Sequence, residues 1–226
     1  MKLRILSPPS WSISRNLITW SRKLDISLAG PEEIGDMIVI ADGSPDDIVY
    51  LILAHKLDGG KAVGITATQE KRVASIPLAL ELVRREKLEK LLIALDQEAD
   101  ELAELWRQIE EKLREKADEY KLDASEERFR LYSCQYAQHR FKALIAINGL
   151  NTSYSKHTIE DHLIKFAGKS LGDDVRAILK SSSDPKEAWR KLRDHHQIIL
   201  LKIRDASVNQ LEEFFPQQIK ALRELK

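Results

Sequence analysis

The run Met37-Ile38-Val39-Ile40-Ala41-Asp42-Gly43-Ser44-Pro45-Asp46-Asp47, with Ile48-Val49-Tyr50-Leu51-Ile52-Leu53-Ala54 behind it, decides the fold class. Unbroken apolar residues over 37–41 predict a strand buried on both faces, because a half-exposed strand would alternate with polar residues. Gly43 and Pro45 punctuate a tight loop, and the apolar stretch over 48–57 reads as a helix. Strand, loop and helix in that order begin a βα unit, and repeated units of this kind build parallel sheets covered by helices.

The same rhythm continues on both sides. Residues 3–6 predict a short first strand, and beyond Pro8-Pro9 the residues Trp11, Ile13, Leu17, Ile18, Trp20 and Leu24 recur at helical spacing. Residues 62–66 predict the next strand, 73–90 a helix containing Pro77, and 91–95 a second buried strand that delivers Asp96 at its C-terminal end. Over 99–120, Leu102, Leu105, Trp106, Ile109 and Leu113 mark one face of a long amphipathic helix. Residues 129–134 and 143–147 predict two further strands. From Thr158, which forms a capping box with Asp161, the signals are helical, and Ser183-Asp184-Pro185 supplies an N-cap and an N1 proline. Residues 198–203 are read as helix in spite of their β-branched content, and Pro216 separates the last helix. The expected architecture is α/β: an N-terminal strand and helix over 1–35, a mainly parallel sheet sandwiched by helices over 36–168, and a helical extension over 169–226.

Composition narrows the partners. Lys plus Arg and Asp plus Glu both number 36, so no net field draws the 226-residue chain onto nucleic acid or an anionic membrane. Contact with either has to be local. Cys134 has no second cysteine to pair with and sits in an expected strand, which reads as core filling in a reducing compartment. Pro8-Pro9 breaks the N-terminus before an apolar leader can form, and no apolar run approaches the ~20 residues of a membrane span. A cytoplasmic protein is expected.

Ligands of open parallel sheets bind outside the carboxyl ends of the strands. Two such ends carry acids here: Asp42, Asp46 and Asp47 on one loop, Asp96, Glu98 and Asp100 on the other. Adjacent strands would bring the loops together, and converging carboxylates repel unless a hard cation binds between them. Each loop also has a structural reading, with Ser44 as N-cap, Pro45 at N1 and acids favoured in a first helical turn, and with Asp96 to Asp100 as another helix N-terminus. His157 and His162 are five apart and do not share a helix face, so with His195 and His196 they are expected in surface or capping roles. The basic residues from Lys186 to Lys191, with Arg193, Lys202 and Arg204 around Trp189, are interleaved with Asp184, Glu187, Asp194 and Asp205, which reads as an ordinary solvated helix. Gly59-Gly60-Lys61 lacks the remainder of a P-loop.

In order and spacing the two loops resemble the Toprim (topoisomerase-primase) domain, in which one apolar strand ends in Glu-Gly-x-x-Asp, a βα unit follows, and a second strand ends in Asp-x-Asp. Asp42-Gly43-Ser44-Pro45-Asp46 is similar to the first motif with Asp in place of Glu, and Asp96-Gln97-Glu98 to the second with Glu in place of the last Asp. Gly149 and His157-Thr158-Ile159-Glu160-Asp161-His162-Leu163 resemble a segment of archaeal Toprim-like proteins, so the resemblance covers 36–168. It implies a Mg²⁺ or Mn²⁺ site built from Asp42, Asp46, Asp96, Glu98 and Asp100, with Asp42 in the position of the family's proton-handling glutamate. It also implies nucleic acid or a nucleotide as ligand, and leaves self-association open. Aspartate is one methylene shorter than glutamate, and proton transfer needs hydrogen-bond reach, so the replacement favours a catalytically degenerate binding module over a Mg²⁺-dependent enzyme acting on phosphodiesters.

Overall fold

A computed structural model describes residues 1–57, 59–172, 175 and 181–226. Residues 173, 174 and 176–180 of the expected helical extension lie outside the described residues.

Strand β1 (Lys2–Ile5) leads into helix α1 (Ser12–Lys23), and β2 (Asp36–Ile40) into α2 (Asp46–Lys56). Next come β3 (Ala62–Ala67), a 3₁₀ turn (Arg72–Ala74), α3 (Ser75–Glu86), β4 (Lys90–Asp96) and α4 (Leu102–Lys116). The chain then runs through β5 (Glu119–Glu126), β6 (Phe129–Tyr136) and β7 (His139–Asn148) to α5 (Ile159–Ser170). Among the described residues the C-terminal helices include α6 (Pro185–Lys191), α7 (His196–Asp205), α8 (Val208–Phe214) and α9 (Pro216–Leu225).

The strands form one seven-stranded sheet in the order β1-β3-β2-β4-β7-β6-β5. Its first five strands are parallel, and β6 and β5 complete it as an antiparallel meander. The two continuous apolar runs are neighbours, with Ile38 opposite Leu92 and Ile40 opposite Ala94. Because side chains alternate across a strand, Ile38, Ile40, Leu92 and Ala94 enter the core beneath α1, α2, α5 and the C-terminal helices, while Met37, Val39, Leu91, Ile93 and Leu95 enter the core beneath α3 and α4. Burial on both faces is why these runs show no polar alternation.

Several boundaries differ from expectation. The helix expected over 99–120 ends at Lys116, Ala117 turns extended, and Glu119–Glu126 forms the edge strand β5. Tyr120 and Leu122 do alternate with charged residues, but the strand is mostly exposed, so its polar pattern ran on from the helix without a break. The helix expected over 73–90 occupies Ser75–Glu86 and stops at left-handed Lys87, because 90 onward belongs to β4. Pro77 sits in the first turn of α3, where its missing N–H costs no helical bond. Pro45 is the N-cap of α2 rather than its first residue.

The strand over 2–5 pairs with β3 in the main sheet. The described part of the C-terminal extension is helical and equally integrated: α9 packs on β7 and β4, and α2 is buried from Asp46 to Ala54 between the sheet and the helices over it. Among the described residues, no helix is long and apolar enough to cross a membrane.

Candidate metal centre

Helix α2 leaves β2 toward one face of the sheet, and α4 leaves the adjacent β4 toward the other. This divergence opens a crevice at the carboxyl ends of two neighbouring parallel strands, the place where open α/β sheets bind ligands. Asp42 lies just past β2, in a loop that turns at Gly43 (φ +114°) through a cis Ser44–Pro45 bond into α2. Asp96 is the last residue of β4, and Asn148 the last of β7 beside it. The loop after β4 is therefore not a helix N-terminus, since α4 starts only at Leu102 behind Glu101.

The crevice is tied together by short polar contacts. Asp42 Oδ2 accepts from the Asp96 backbone N–H at 2.7 Å. Asn148 Nδ2 donates to Asp46 Oδ1 at 2.6 Å and to Asp96 Oδ1 at 3.3 Å, and Asp96 Oδ1 also accepts from Ile159 N–H at 3.0 Å. Asn148 is held in turn by Gln218 of α9, whose Nε2 donates to its Oδ1 at 2.8 Å. Glu98 has a left-handed backbone (φ 57°) and exchanges two backbone hydrogen bonds with His157, each 2.8 Å. Left-handed backbone at a non-glycine residue is strain that the surroundings must hold in place, and it gathers at functional sites.

Asp42, Asp46, Asp96 and Glu98 thus converge, and Glu160 in the first turn of α5 joins them. Asp46 and Asp96 are almost fully buried, at 2% and 1% exposure. Burial first, then the charge of Asp96 on Asp46 and the charges of Asp42 and Glu160 on Asp96, hold both carboxyls well above the ordinary range. Burial also raises Asp42, opposed by the Asp96 amide, and raises Glu160. Asp47 points elsewhere, bonded to its own helix at Ile48 N–H and to Asn16 of α1, and burial pushes it up to about 6. Asp100 is committed to an ion pair with Arg72.

The sequence reading gave no site role to Asn148, Tyr50 or Lys186, and took Glu160 as a capping acid at a place where the resemblance puts an acid. Glu160 follows the Thr158 cap, so its place in a first helical turn was legible, but its direction depended on where α5 docks. Lys186, expected on a solvated helix, reaches from α6 to Glu98 and stands 3.9 Å from Asp96 Oδ2. His162, expected in a surface or capping role, is completely buried between α5 and the C-terminal helices. His196 stacks on Trp189, with ring centroids 3.8 Å apart. Cys134 is buried in the core as expected, and its thiol is pushed up to about 12 by burial.

No family model, no curated protein and no solved structure matches the chain.

Carboxylate oxygens are the ligands that Mg²⁺ and Mn²⁺ prefer. Two buried atoms in this region, Glu160 Oε2 and Tyr50 Oη, have no hydrogen-bond partner among the described residues; the charge of Glu160 acts on Asp46 and Asp96, and burial, then the charges of those two aspartates, hold the Tyr50 phenol above its ordinary range. Orphaned oxygens beside buried acids fit a cation. As they stand, however, no three His, Cys, Asp or Glu side chains among the described residues form a ready ligand set. Outward from the acids, a cleft of about 400 Å³ is lined by Asp42, Lys71, Arg72, Glu98, Lys156 and Lys186. A larger cavity of about 900 Å³ lies at the other end of the strands, with Glu89, Asp118, Glu119, Tyr120 and Lys142 among its lining residues.

Proposed function

We propose that this protein is a Toprim-like module of the cytoplasm that binds Mg²⁺ or Mn²⁺ in the acidic crevice and, through the ion, the phosphates of a nucleotide or nucleic acid, without turning them over. Asp42, Asp46, Asp96, Glu98 and Glu160 would hold the ion, which supplies positive charge where phosphoryl oxygens gather. The observation that carries the reading is the convergence of two strand-end acid loops at the switch point of a parallel sheet, with the buried oxygens of Glu160 and Tyr50 left unpaired beside them. Lys71 on the cleft wall suits an anionic ligand while the net charge of the chain is zero.

The alternative is a Mg²⁺-dependent nuclease or nucleotidyl transferase with Asp42 handling the proton. It needs an available Asp42 carboxylate, whereas one oxygen of that group is held by the Asp96 amide. Incubation with end-labelled single-stranded DNA or RNA and Mn²⁺ separates the two. Metal-dependent retention without product is expected, and product that disappears in Asp42→Asn would replace the binding module with the enzyme.

A further inference from the structure

Lys186 is the second residue of α6, a helix anchored by buried Ala188 and Trp189 and docked on α5. Its aliphatic stem leads from that anchored helix to the acidic crevice, where its ammonium pairs with Glu98 and lies 3.9 Å from the buried Asp96 Oδ2. Of the other cations of the cleft, Arg72 also acts on Asp42 but is ion-paired with Asp100, and Lys71 and Lys156 are exposed on the rim. The side chain of Lys186 is itself 46% exposed, so it can swing out to water without moving the helix that carries it.

Resting on the divalent-cation reading of the same site, we infer that Lys186 is a tethered cation that balances the acid cluster when no metal is bound and competes with a divalent ion for it. A buried group of carboxylates is costly unless a positive charge stands among them. The ammonium supplies one charge from within the chain. A divalent ion supplies two and can touch several carboxylates at once, but the two cations repel each other across so short a distance. The competition explains why the acids converge without forming a ready ligand set: they are arranged around a monovalent group on a flexible stem. It also makes metal affinity adjustable, because any ligand phosphate that draws Lys186 out of the crevice would favour the ion. Such coupling is reciprocal, so metal binding releases Lys186 to meet an anion in the cleft.

Titration with Mn²⁺, following the spin-resonance signal of the free ion, tests this on the whole protein. Lys186→Gln should bind Mn²⁺ roughly tenfold more tightly than wild type, within the usual range of coupling between sites. Lys186→Arg, which keeps the charge, should stay near wild-type affinity. Lys156→Gln removes a rim lysine outside the acid cluster, and solvent screening should confine its effect to about twofold. Equal or weaker binding by Lys186→Gln overturns the tethered-cation role alone, as does an equal gain in Lys156→Gln, which would mean a general field effect. Absence of binding in wild type and in Lys186→Gln overturns the divalent site and the competition together.

Discussion

At the residue scale, His162 is set by its surroundings to one protonation state. Its Nε2 accepts from Gly149 N–H at 3.1 Å, which puts the ring proton on Nδ1, where it donates to the Phe214 carbonyl at 2.5 Å. Burial first, and nearby Arg128 and Lys165 after it, lower its pKa from 6.5 to about 3. A base whose folded pKa is depressed contributes stability that is fully present above its unfolded pKa. That contribution is lost as pH falls through the window from 6.5 to about 3. The stability difference between wild type and His162→Gln should therefore shrink by up to roughly 1.4 kcal/mol per pH unit below that unfolded value. Urea unfolding of both proteins at a series of pH values measures it, and a gap that stays constant down to about pH 5 would show that the imidazole is not kept neutral by the fold. His162 was illegible in the sequence because a single histidine carries no periodic signal. The residues around it from Ile159 to Ile164 are all buried, and the helices that cover them are distant in the chain.

At the scale of elements, the connection from β7 to α5 shows how local geometry positions the site. Gly149 has φ +120°, and a Cβ there would lie 2.6 Å from His157 Cβ and 2.9 Å from its carbonyl carbon. His157 is the residue that clamps Glu98 through two backbone hydrogen bonds. Gly149→Ala should thus strain its own backbone and push the Glu98 loop, at a cost above about 1 kcal/mol. In a chain of this size that is a fall in melting temperature of at least roughly 2–4 °C. An unchanged melting temperature would mean that the turn has slack. Apolar buried elements such as β2, β4 and α2 were legible because their composition already records two-sided burial. The edge strand β5 was not, since an exposed strand after an amphipathic helix presents the same mixture of charge and occasional apolar residues.

For the molecule as a whole, the βα rhythm sufficed for an α/β class and for two acid loops on neighbouring strand ends. It could not place the C-terminal helices, which proved to belong to the site: Gln218 of α9 holds Asn148 between Asp46 and Asp96, and Lys186 of α6 enters the crevice itself. Such contacts join residues 70 or more positions apart, and no local pattern encodes them. The central claim is that these acids hold a divalent ion. Thermal unfolding with and without millimolar Mn²⁺, on wild type and Asp96→Asn, tests it most directly. The asparagine still presents an Oδ1 to accept from Ile159 N–H, while removing one charge from the buried cluster, so the variant should fold and melt no lower than wild type without metal. Wild type should gain roughly 1.4 kcal/mol at an ion concentration ten times its Kd, or about 3–6 °C, because the ion binds only the folded state. Asp96→Asn should gain nothing; no gain in wild type, or the same gain in the variant, would contradict the site.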